Sequence, residues 1–577
     1  MQLLEFFNFS KKLKELENNY NFAAARKELK LKVNYKKILI YIALTILAIS
    51  PYLNRQTIFS WDLCYHLNRI NEIASNLQEG QFPVIIHSHL MENLGYANSI
   101  FYPELFLYIP AILKILGVGT LLSYKILLMI ITFFTFIFMD ITAKKIFKNN
   151  KISYLASILY TFSLYRLMDI YVRGALGEVL AITFFPLLLY GLYDIIFEQG
   201  KKWWVIVLGV FGIANSHILS IAFAAFLIIF LCICNIKTIL KNKQILLNLI
   251  KTGIVSVLIC SSVILPILEQ YKSIKLKVQS SNSGFNLSEQ ATTLTSALEN
   301  DIRFGSSVDG NTVKKEASMS TCVGIILLIL PGLLLFNKSK EKNNKYVLQM
   351  LGLGIVSFIL STKIFPWSKF EWMSTIQFPW RFNMITALVL SLVSSYAVYN
   401  FFENKRDSIM ILIIGILVMS CCLLQNIDIN PLNYNYEQLI NYTPVGNGEY
   451  LPESLNLAVD NSKVVDLENN QDIEFKRENC TLEFNTSESK TYELPLIYYK
   501  GYRAYLIESE NKKHKIPVTL DAGRGLAIVN NTTGKQGTIK VKYEMTNIQK
   551  ISYLVTILSF IIIILENKFK RKKALKA

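Results

Sequence analysis

The chain has 577 residues, of which 52% are hydrophobic, and a formal net charge of +18. Its mean hydropathy of +0.34 is too high for a soluble enzyme of ordinary domains, and its repeated apolar runs are long enough to cross a bilayer. The positive charge does not form a nucleic-acid-binding patch, because it is concentrated at the termini and in short connections between apolar runs. Composition therefore predicts a polytopic α-helical membrane protein with no nucleic-acid partner.

The distribution of positive charge also predicts orientation. The first 37 residues contain nine Lys or Arg and the last eleven contain six, whereas residues 54–103 contain only Arg55 and Arg69. Cytoplasmic segments of membrane proteins carry the excess of positive charge. We therefore expect a multi-pass plasma-membrane protein with both termini in the cytoplasm and residues 54–103 as an external loop.

The external loop begins with SWDLCYHLNRINEIASNLQEG, residues 60–80, which predicts an amphipathic helix at the membrane surface. Ser60 can cap its start and Gly80 can end it. With 3.6 residues per turn, Asp62, His66 and Arg69 form a polar stripe beside an apolar face.

Two interpretations of Asp62 remain open. It can be a residue that the helix dipole favours at the start of an interfacial helix. Alternatively, its carboxylate can act as a general base on an acceptor hydroxyl, with His66 orienting the acceptor or holding a phosphate. Glu104 is a second carboxylate of the same loop.

Twelve membrane crossings follow from hydropathy and the charge rule. A thirteenth apolar element, 105–117, is too short to cross, and we expect it to be re-entrant or interfacial; a crossing there would place a lysine-rich run outside. The predicted crossings are 37–53, 121–143, 152–166, 178–197, 203–215, 217–235, 246–268, 320–336, 345–361, 378–402, 408–425 and 548–566.

Five segments flank or contain these crossings. Residues 1–36 form a cytoplasmic lead, 37–425 a transmembrane domain, 548–566 a final transmembrane helix, and 567–577 a basic cytoplasmic tail. Residues 426–547 contain no apolar run of membrane length and several stretches that alternate apolar and polar residues, such as TIKVKYE. This period of two predicts an external β-sandwich.

Polar residues at the outer ends of apolar spans are candidates for a site because such positions are costly in a membrane. In YRLMDIYVRGALGE, Arg173 and the glycine-flanked turn before Glu178 can bind a lipid phosphate, or can be interfacial residues of a helix-loop-helix turn. His217 lies at a break between two short apolar helices and is either a site residue or a packing residue. Arg381, in IQFPWRFNM, lies where a phosphate headgroup would be.

No spacing of Cys or His predicts a structural metal site. The pair His87-x-His89 can bind metal in principle, but two solvated loop residues are the simpler interpretation.

Four motifs in order resemble a known family: WDLCYHLNRINEIASNLQEGQFPV, GYANSIFYPELFLYIPAILKILG, YRLMDIYVRGALGE and IQFPWRF. Together with the tail LIYYKGYRAYL and a last span, they resemble bacterial YfhO-like membrane proteins, a group that overlaps with membrane proteins labelled "6-pyruvoyl-tetrahydropterin synthase related". That label does not describe the chemistry, since the sequence shows no zinc triad of histidines. YfhO-like proteins are similar to the GT-C superfamily of membrane glycosyltransferases.

The resemblance implies a GT-C-like fold and transfer of a sugar from a polyprenyl-phosphate donor to a cell-envelope glycopolymer on the outer face. It assigns the role of catalytic base or metal partner to an acidic residue of the first external loop, and Asp62 is the only Asp there. It implies phosphate binding by Arg173 and Arg381. A divalent metal is in doubt, because many GT-C enzymes have paired acidic residues where this chain has Asp62 followed by His66.

The candidate site comprises two groups of residues. The catalytic candidates are Asp62 and His66, and the candidates for binding substrate or lipid phosphate are Arg69, Glu104, Arg173, Glu178, His217 and Arg381. In the β-sandwich, Tyr498, Tyr499 and Tyr502 can stack on a polymer such as a teichoic acid, although core positions are favoured. A lipid-linked-sugar transporter or flippase and a non-catalytic envelope-assembly protein remain as alternatives; the first would need polar residues at the bilayer midplane.

Overall fold

The computed structural model of this protein describes residues 35–53, 60–280, 286–303, 319–336, 344–402, 406–425, 445–446, 448–456, 462–479, 481–486, 490–508 and 512–576. Outside these ranges lie residues 1–34 of the predicted lead 1–36, residues 54–59 of the predicted loop 54–103, and residues 426–444 of the predicted β-sandwich segment 426–547. Residues 304–318 and Cys480 also lie outside them.

The α-helices of the described residues are numbered in chain order. They are α1 (Tyr35–Ala48), α2 (Ser50–Leu53), α3 (Leu63–Gln78), α4 (Asn98–Phe101), α5 (Tyr108–Ile115), α6 (Thr120–Phe147), α7 (Asn150–Thr161), α8 (Leu164–Met168), α9 (Leu176–Phe197), α10 (Trp204–Ala214), α11 (Ser220–Cys234), α12 (Ile236–Lys241), α13 (Lys243–Ile259), α14 (Ser261–Ser273), α15 (Lys277–Ser280), α16 (Leu287–Gln290), α17 (Leu294–Leu298), α18 (Ile325–Ile329), α19 (Asn344–Ser361), α20 (Asn383–Phe401), α21 (Arg406–Gln425) and α22 (Asn547–Lys576). Shorter helical turns lie at Leu105–Leu107, Asp169–Arg173, Leu330–Phe336, Trp367–Lys369, Glu371–Ile376 and Pro379–Phe382.

Four of the described helices are long and apolar enough to cross a membrane: α6, α9, α20 with the turn before it, and α22. The pair α13 and α14, bent by 61° at Cys260, would make a fifth. Each of them coincides with a predicted crossing. Shorter apolar helices occupy other predicted crossings, and Leu105–Ile115 occupies the predicted re-entrant segment. Length and composition therefore support four or five crossings within the described residues, and the predicted total of twelve is not confirmed.

Helix α9 is central to the packing of the helical region. Of the residues in the apolar stretch of α9 that is long enough to cross a membrane, 89% are buried. Hydroxyl groups join it to its neighbours: Thr183 bonds Thr135 of α6 at 2.7 Å, and the Tyr160 hydroxyl of α7 donates to the Ile182 carbonyl at 2.7 Å. The start of α9, which carries Glu178, is held in place by this packing.

The C-terminal region forms two antiparallel five-stranded sheets, in agreement with the predicted β-rich domain. One sheet has the order β2-β1-β5-β9-β8 and the other β3-β4-β10-β6-β7. The strands are β1 (Val464–Asp466), β2 (Gln471–Ile473), β3 (Phe475–Glu478), β4 (Thr481–Thr486), β5 (Thr491–Ile497), β6 (Tyr502–Ile507), β7 (Lys513–Ile516), β8 (Val518–Leu520), β9 (Leu526–Asn530) and β10 (Gly537–Tyr543).

The core of the two sheets includes part of the loop that was predicted to be external. Ile86, Leu94 and Phe101 belong to the same buried apolar cluster as the strands, and the Ile497 amide donates to the Leu94 carbonyl at 3.0 Å. Burial of this shared apolar surface stabilises the loop against the sheets. It therefore determines where the residues after α4 lie.

Of the three tyrosines considered for sugar stacking, two are core residues. Tyr499 and Tyr502 are 0% and 3% exposed, and the Tyr499 hydroxyl donates to the Tyr450 carbonyl at 3.0 Å. Tyr498 is partly buried. The interpretation of these tyrosines as core residues therefore holds for Tyr499 and Tyr502.

Candidate functional site at the start of the loop helix

Helix α3 begins at Leu63, and its cap position is Asp62, two residues later than the predicted cap at Ser60. The residues before it pair with the turn that precedes α9: the Asp62 amide donates to the Arg173 carbonyl at 2.7 Å, and the Trp61 amide donates to the Val172 carbonyl at 3.1 Å. These bonds give partners to the backbone amides of the two residues that precede the helix. The predicted end is confirmed, because Gly80 has φ +84° and its amide donates to the Leu77 carbonyl.

Gly174 allows this close pairing. It ends the turn Asp169–Arg173 with φ +63°, and a Cβ there would lie 2.3 Å from Ser60 Oγ and 3.2 Å from the Leu63 amide nitrogen. A larger residue would clash with the start of α3 as well as adopt an unfavourable backbone conformation. The glycine in this motif thus positions Asp62 next to Arg173.

The Asp62 carboxylate is not used as a helix cap. It lies at the cap position of α3 and accepts no capping hydrogen bond, and none of the described residues forms a hydrogen bond or an ion pair with it. Asp62 is partly exposed. Burial raises its pKa, Arg173 and Arg381 oppose that shift, and Glu178 adds to it. The carboxylate is therefore available to a ligand.

Glu178 holds the two predicted phosphate-binding arginines together. Its Oε1 lies 2.8 Å from Arg173 Nη1 and 2.7 Å from Arg381 Nε, and its Oε2 accepts from the Tyr165 hydroxyl at 3.1 Å. All three charged side chains are less than 10% exposed. The segments of the sequence that carry them, which are two hundred residues apart, thus meet at one buried carboxylate.

Each arginine is also held by further groups. Arg173 Nη1 bonds Asp169 Oδ1 at 2.8 Å, and its guanidinium lies 4.5 Å from the ring centre of Trp380. Arg381 Nη1 donates to the Ile376 carbonyl and to Gln377. The Nη2 atoms of both arginines make no hydrogen bond to another residue in the described ranges. Each arginine thus has a donor left for a ligand.

His217 and Tyr102 complete the cluster. His217, at the predicted break between α10 and α11, bonds Ser220 Oγ through Nδ1 at 2.9 Å, and its ring centre lies 6.1 Å from that of Tyr102. Gly177 lets the Tyr102 hydroxyl approach α9, because a Cβ there would lie 2.2 Å from that oxygen. The four groups of candidate residues predicted separately therefore converge.

The rest of the predicted polar stripe is buried rather than solvated. Arg69 is 1% exposed: Nε bonds Glu104 at 2.8 Å, Nη1 bonds His66 Nδ1 at 3.2 Å, and Nη2 donates to the Tyr102 and Pro103 carbonyls. Glu104 also lies 3.1 Å from His87 Nε2. These contacts satisfy Arg69 and Glu104 within the protein and favour a positioning role over substrate binding.

His66 contacts the same network on one side only. Its Nδ1 faces Arg69, whereas its Nε2 is buried and has no hydrogen-bond partner among the described residues. Burial and the charge of Arg69 hold the pKa of His66 well below its usual range. A neutral imidazole that accepts at Nδ1 carries its proton on Nε2. His66 therefore supplies a hydrogen-bond donor.

A cavity of about 410 Å³ lies behind the segment that carries Tyr102. Pro103 and Glu104 line it together with Asn215, two residues before His217, and with residues of α14 and α22. Most of its lining is apolar, as expected of a cavity that binds an apolar group.

The described residues contain no group of three or more His, Cys, Asp or Glu side chains able to hold a metal ion. His87 and His89 bond different carboxylates: His87 contacts Glu104, and His89 contacts Glu72 and Glu79. They do not form the metal-binding pair considered from the sequence.

A family model described as "Bacterial membrane protein YfhO" matches residues 96–572. The chain belongs to the YfhO family. It is therefore a membrane protein, in agreement with its apolar helices. The match includes Tyr102, Arg173, Glu178, His217 and Arg381 and begins after α3.

One further protein sequence and one solved structure are similar to this YfhO family member. An uncharacterized protein of Lactococcus lactis subsp. cremoris (strain MG1363) is 24% identical over 618 residues, which cover 94% of this chain and 97% of that protein. The cryo-EM structure of the arabinofuranosyltransferase AftD from Mycobacteria aligns with a TM-score of 0.43 and 12% identity. That alignment covers 68% of this chain, and the chain spans only 28% of the length of AftD.

Two residues near Asp62 were not among the predicted candidates. Tyr102 lies in one of the motifs that carry the YfhO resemblance, and that motif could have indicated Tyr102 as a candidate. Glu449 interacts electrostatically with Asp62 but lies more than 380 residues away in the sequence. No local pattern connects the two carboxylates.

Proposed function

We propose that this YfhO family member is an integral membrane glycosyltransferase. It moves a sugar from a polyprenyl-phosphate donor to a cell-envelope glycopolymer, with inversion at the anomeric carbon. The observation that carries the proposal is the Asp62 carboxylate. It has no partner among the described residues and interacts electrostatically with two arginines that each keep a free donor. The sequence motifs resemble YfhO-like proteins, which are similar to GT-C enzymes, and this resemblance implies the same reaction.

The reaction needs one base and one anion-binding group. Asp62 accepts the proton of the acceptor hydroxyl while the acceptor oxygen bonds to the anomeric carbon. The bond between that carbon and the phosphate oxygen breaks, and its electron pair leaves with the polyprenyl phosphate. A raised pKa makes Asp62 a stronger base once ionised.

Arg173 and Arg381 stabilise the departing phosphate. Glu178 balances one of their two charges and fixes their orientation through 2.8 and 2.7 Å contacts. Groups that are held in place before the reaction stabilise developing charge without reorganisation. His66 is a hydrogen-bond donor for the acceptor, and Arg69 and Glu104 hold the loop that carries these groups.

The proposal includes the orientation predicted from charge. The chain crosses the plasma membrane several times with both termini in the cytoplasm, and the site and β-sandwich lie on the outer face. Single-cysteine variants test this orientation: Ser462→Cys places a thiol in the β-sandwich, and Lys201→Cys places one in an inner connection. If an impermeant reagent labelled Lys201→Cys but not Ser462→Cys in intact cells, the orientation would be refuted.

Asp62→Asn tests the catalytic assignment. We expect sugar transfer to fall about 10²- to 10⁴-fold, the usual contribution of a general base, with normal membrane levels. The assay is compositional analysis of envelope polymers from cells that carry either variant or lack the protein. Asp472→Asn is the matched control, because Asp472 lies on the β-sandwich and is more than half exposed.

Each result has a clear meaning. Unaffected transfer by Asp62→Asn would refute the role of Asp62. An unchanged glycan profile in cells without the protein would refute the glycosyltransferase and favour a non-catalytic assembly protein.

A further inference from the structure

Tyr102 is held from several sides. It follows α4, its amide donates to the Asn98 carbonyl at 2.9 Å, and its carbonyl accepts from Arg69 Nη2 at 3.1 Å. The Arg69 guanidinium lies 4.3 Å from the centre of its ring. The rings of His66 and His217 each lie 6.1 Å away. The position of the ring is therefore fixed before any substrate binds.

The Tyr102 hydroxyl points to the start of α9. A Cβ at Gly177 would lie 2.2 Å from this oxygen and 3.0 Å from the Ser216 carbonyl oxygen. Gly177 has an ordinary helical backbone, so close approach of Tyr102 explains the glycine. Asp62, Glu178 and Arg381 all interact electrostatically with this hydroxyl.

This hydroxyl has no hydrogen-bond partner among the described residues. Other tyrosines around it do: Tyr65 bonds Asn98, Tyr165 bonds Glu178, and Tyr171 bonds the Ala48 carbonyl. Partly buried tyrosine hydroxyls normally find a partner. Burial raises the pKa of Tyr102 to about 12, so the group remains a donor at neutral pH.

We propose that the Tyr102 hydroxyl donates a hydrogen bond to the phosphate of the lipid-linked donor, and that Gly177 positions this hydroxyl. The inference rests on the proposed glycosyltransferase activity and adds a catalytic residue to it. Arg69, Arg381 and the positive end of α9 favour a phosphate oxygen near this hydroxyl, whereas the carboxylates of Asp62 and Glu178 oppose one. Asp62 remains the base for the acceptor.

Tyr102→Phe is the direct test, because it removes the oxygen and keeps the ring that packs on Arg69. We expect kcat/KM to fall roughly 10- to 100-fold, as for loss of one hydrogen bond to a charged group, with an unchanged melting temperature. Binding of polyprenyl phosphate without sugar, measured on the full chain in detergent, should weaken by a similar factor. Tyr505→Phe, which removes a hydroxyl on the β-sandwich that bonds Glu544, should leave both quantities unchanged.

Gly177→Ala tests the positioning role. Its methyl group should displace the hydroxyl and reduce kcat/KM, and the double variant with Tyr102→Phe should lose no more activity than the worse single variant. Multiplicative losses would show that Gly177 acts through another contact and would overturn its assignment. If Gly177→Ala does not fold, Tyr102→Phe alone decides the hydroxyl's role.

The outcomes separate this inference from the proposed function. No sugar transfer by the wild-type protein refutes the glycosyltransferase itself. Wild-type transfer with a fully active Tyr102→Phe refutes only the role of Tyr102. Reduced transfer with unchanged binding of polyprenyl phosphate and a raised KM for the acceptor would place the hydrogen bond on the acceptor and overturn the proposal.

Discussion

Replacing Glu178 by Gln tests whether the site is organised around one buried carboxylate. The change keeps the size of the side chain and removes the charge that pairs with Arg173 at 2.8 Å and with Arg381 at 2.7 Å. Arg173 would keep Asp169 as a partner at 2.8 Å. Arg381 would keep only neutral partners, the Ile376 carbonyl and the Gln377 amide.

The expected cost follows from the unpaired charge on Arg381. Arg381 and Glu178 are 4% and 1% exposed, and removal of one partner of a buried ion pair costs about 3–5 kcal/mol. The matched control is Glu299→Gln, which breaks a pair with Arg303 whose side chains are 23% and 22% exposed. This control should cost less, because the pair is partly exposed and Arg303 would keep a second carboxylate, Asp301, at 3.3 Å.

Thermal unfolding of the full chain in detergent measures the difference between the two variants. Glu178→Gln should lower the melting temperature well beyond Glu299→Gln. The double variant of Glu178→Gln with Arg381→Gln should recover part of the loss, because both charges are then absent. Equal melting temperatures for the two single variants, or additive losses in the double variant, would refute the account of Glu178.

Two further predictions concern the loop and its contacts. Gly174→Ala should reduce sugar transfer and stability, since the new methyl group would meet Ser60. The control is Gly80→Ala: Gly80 also has positive φ, but no atom lies within 4 Å of a Cβ built there. This control should cost only about 1–2 kcal/mol of stability and leave transfer intact. Transfer by Gly174→Ala equal to that of Gly80→Ala would contradict the role of Gly174. Burial raises the pKa of Glu104, but His87 and Arg69 outweigh it and lower this pKa to about 2. Glu104 therefore stabilises the fold above its unfolded pKa of about 4.5. This contribution is lost as the pH falls towards 2. Glu104→Gln should therefore lower the free energy of unfolding by about 3 kcal/mol at pH 7. Chemical unfolding measured over a range of pH should show this difference from wild type shrinking below pH 4.5. A difference that is constant with pH would contradict this reasoning.

Local patterns predicted many of the elements. Apolar runs marked α6, α9 and α22, because only a long apolar helix satisfies its backbone within a membrane. Alternation of apolar and polar residues marked the β-rich region, since successive side chains of a strand face opposite sides. Gly80 marked the end of α3. The start of α3 was missed because the amides of Trp61 and Asp62 bond a distant segment, the turn before α9, and these two residues stay outside the helix.

The sequence by itself singled out Asp62, Arg173, Glu178, His217 and Arg381, because polar groups at the ends of apolar spans are costly and stand out. It did not show that Glu178 joins the two arginines, since hydrogen bonds between distant segments leave no local pattern.

Only the tertiary structure decided which polar residues are satisfied and which remain available. Arg69 and Glu104 form an ion pair inside the protein. In contrast, the Asp62 carboxylate and the Tyr102 hydroxyl have no partner among the described residues. The difference depends on which groups the packing of α3, α9 and the β-sandwich brings within about 3 Å, the range of a hydrogen bond.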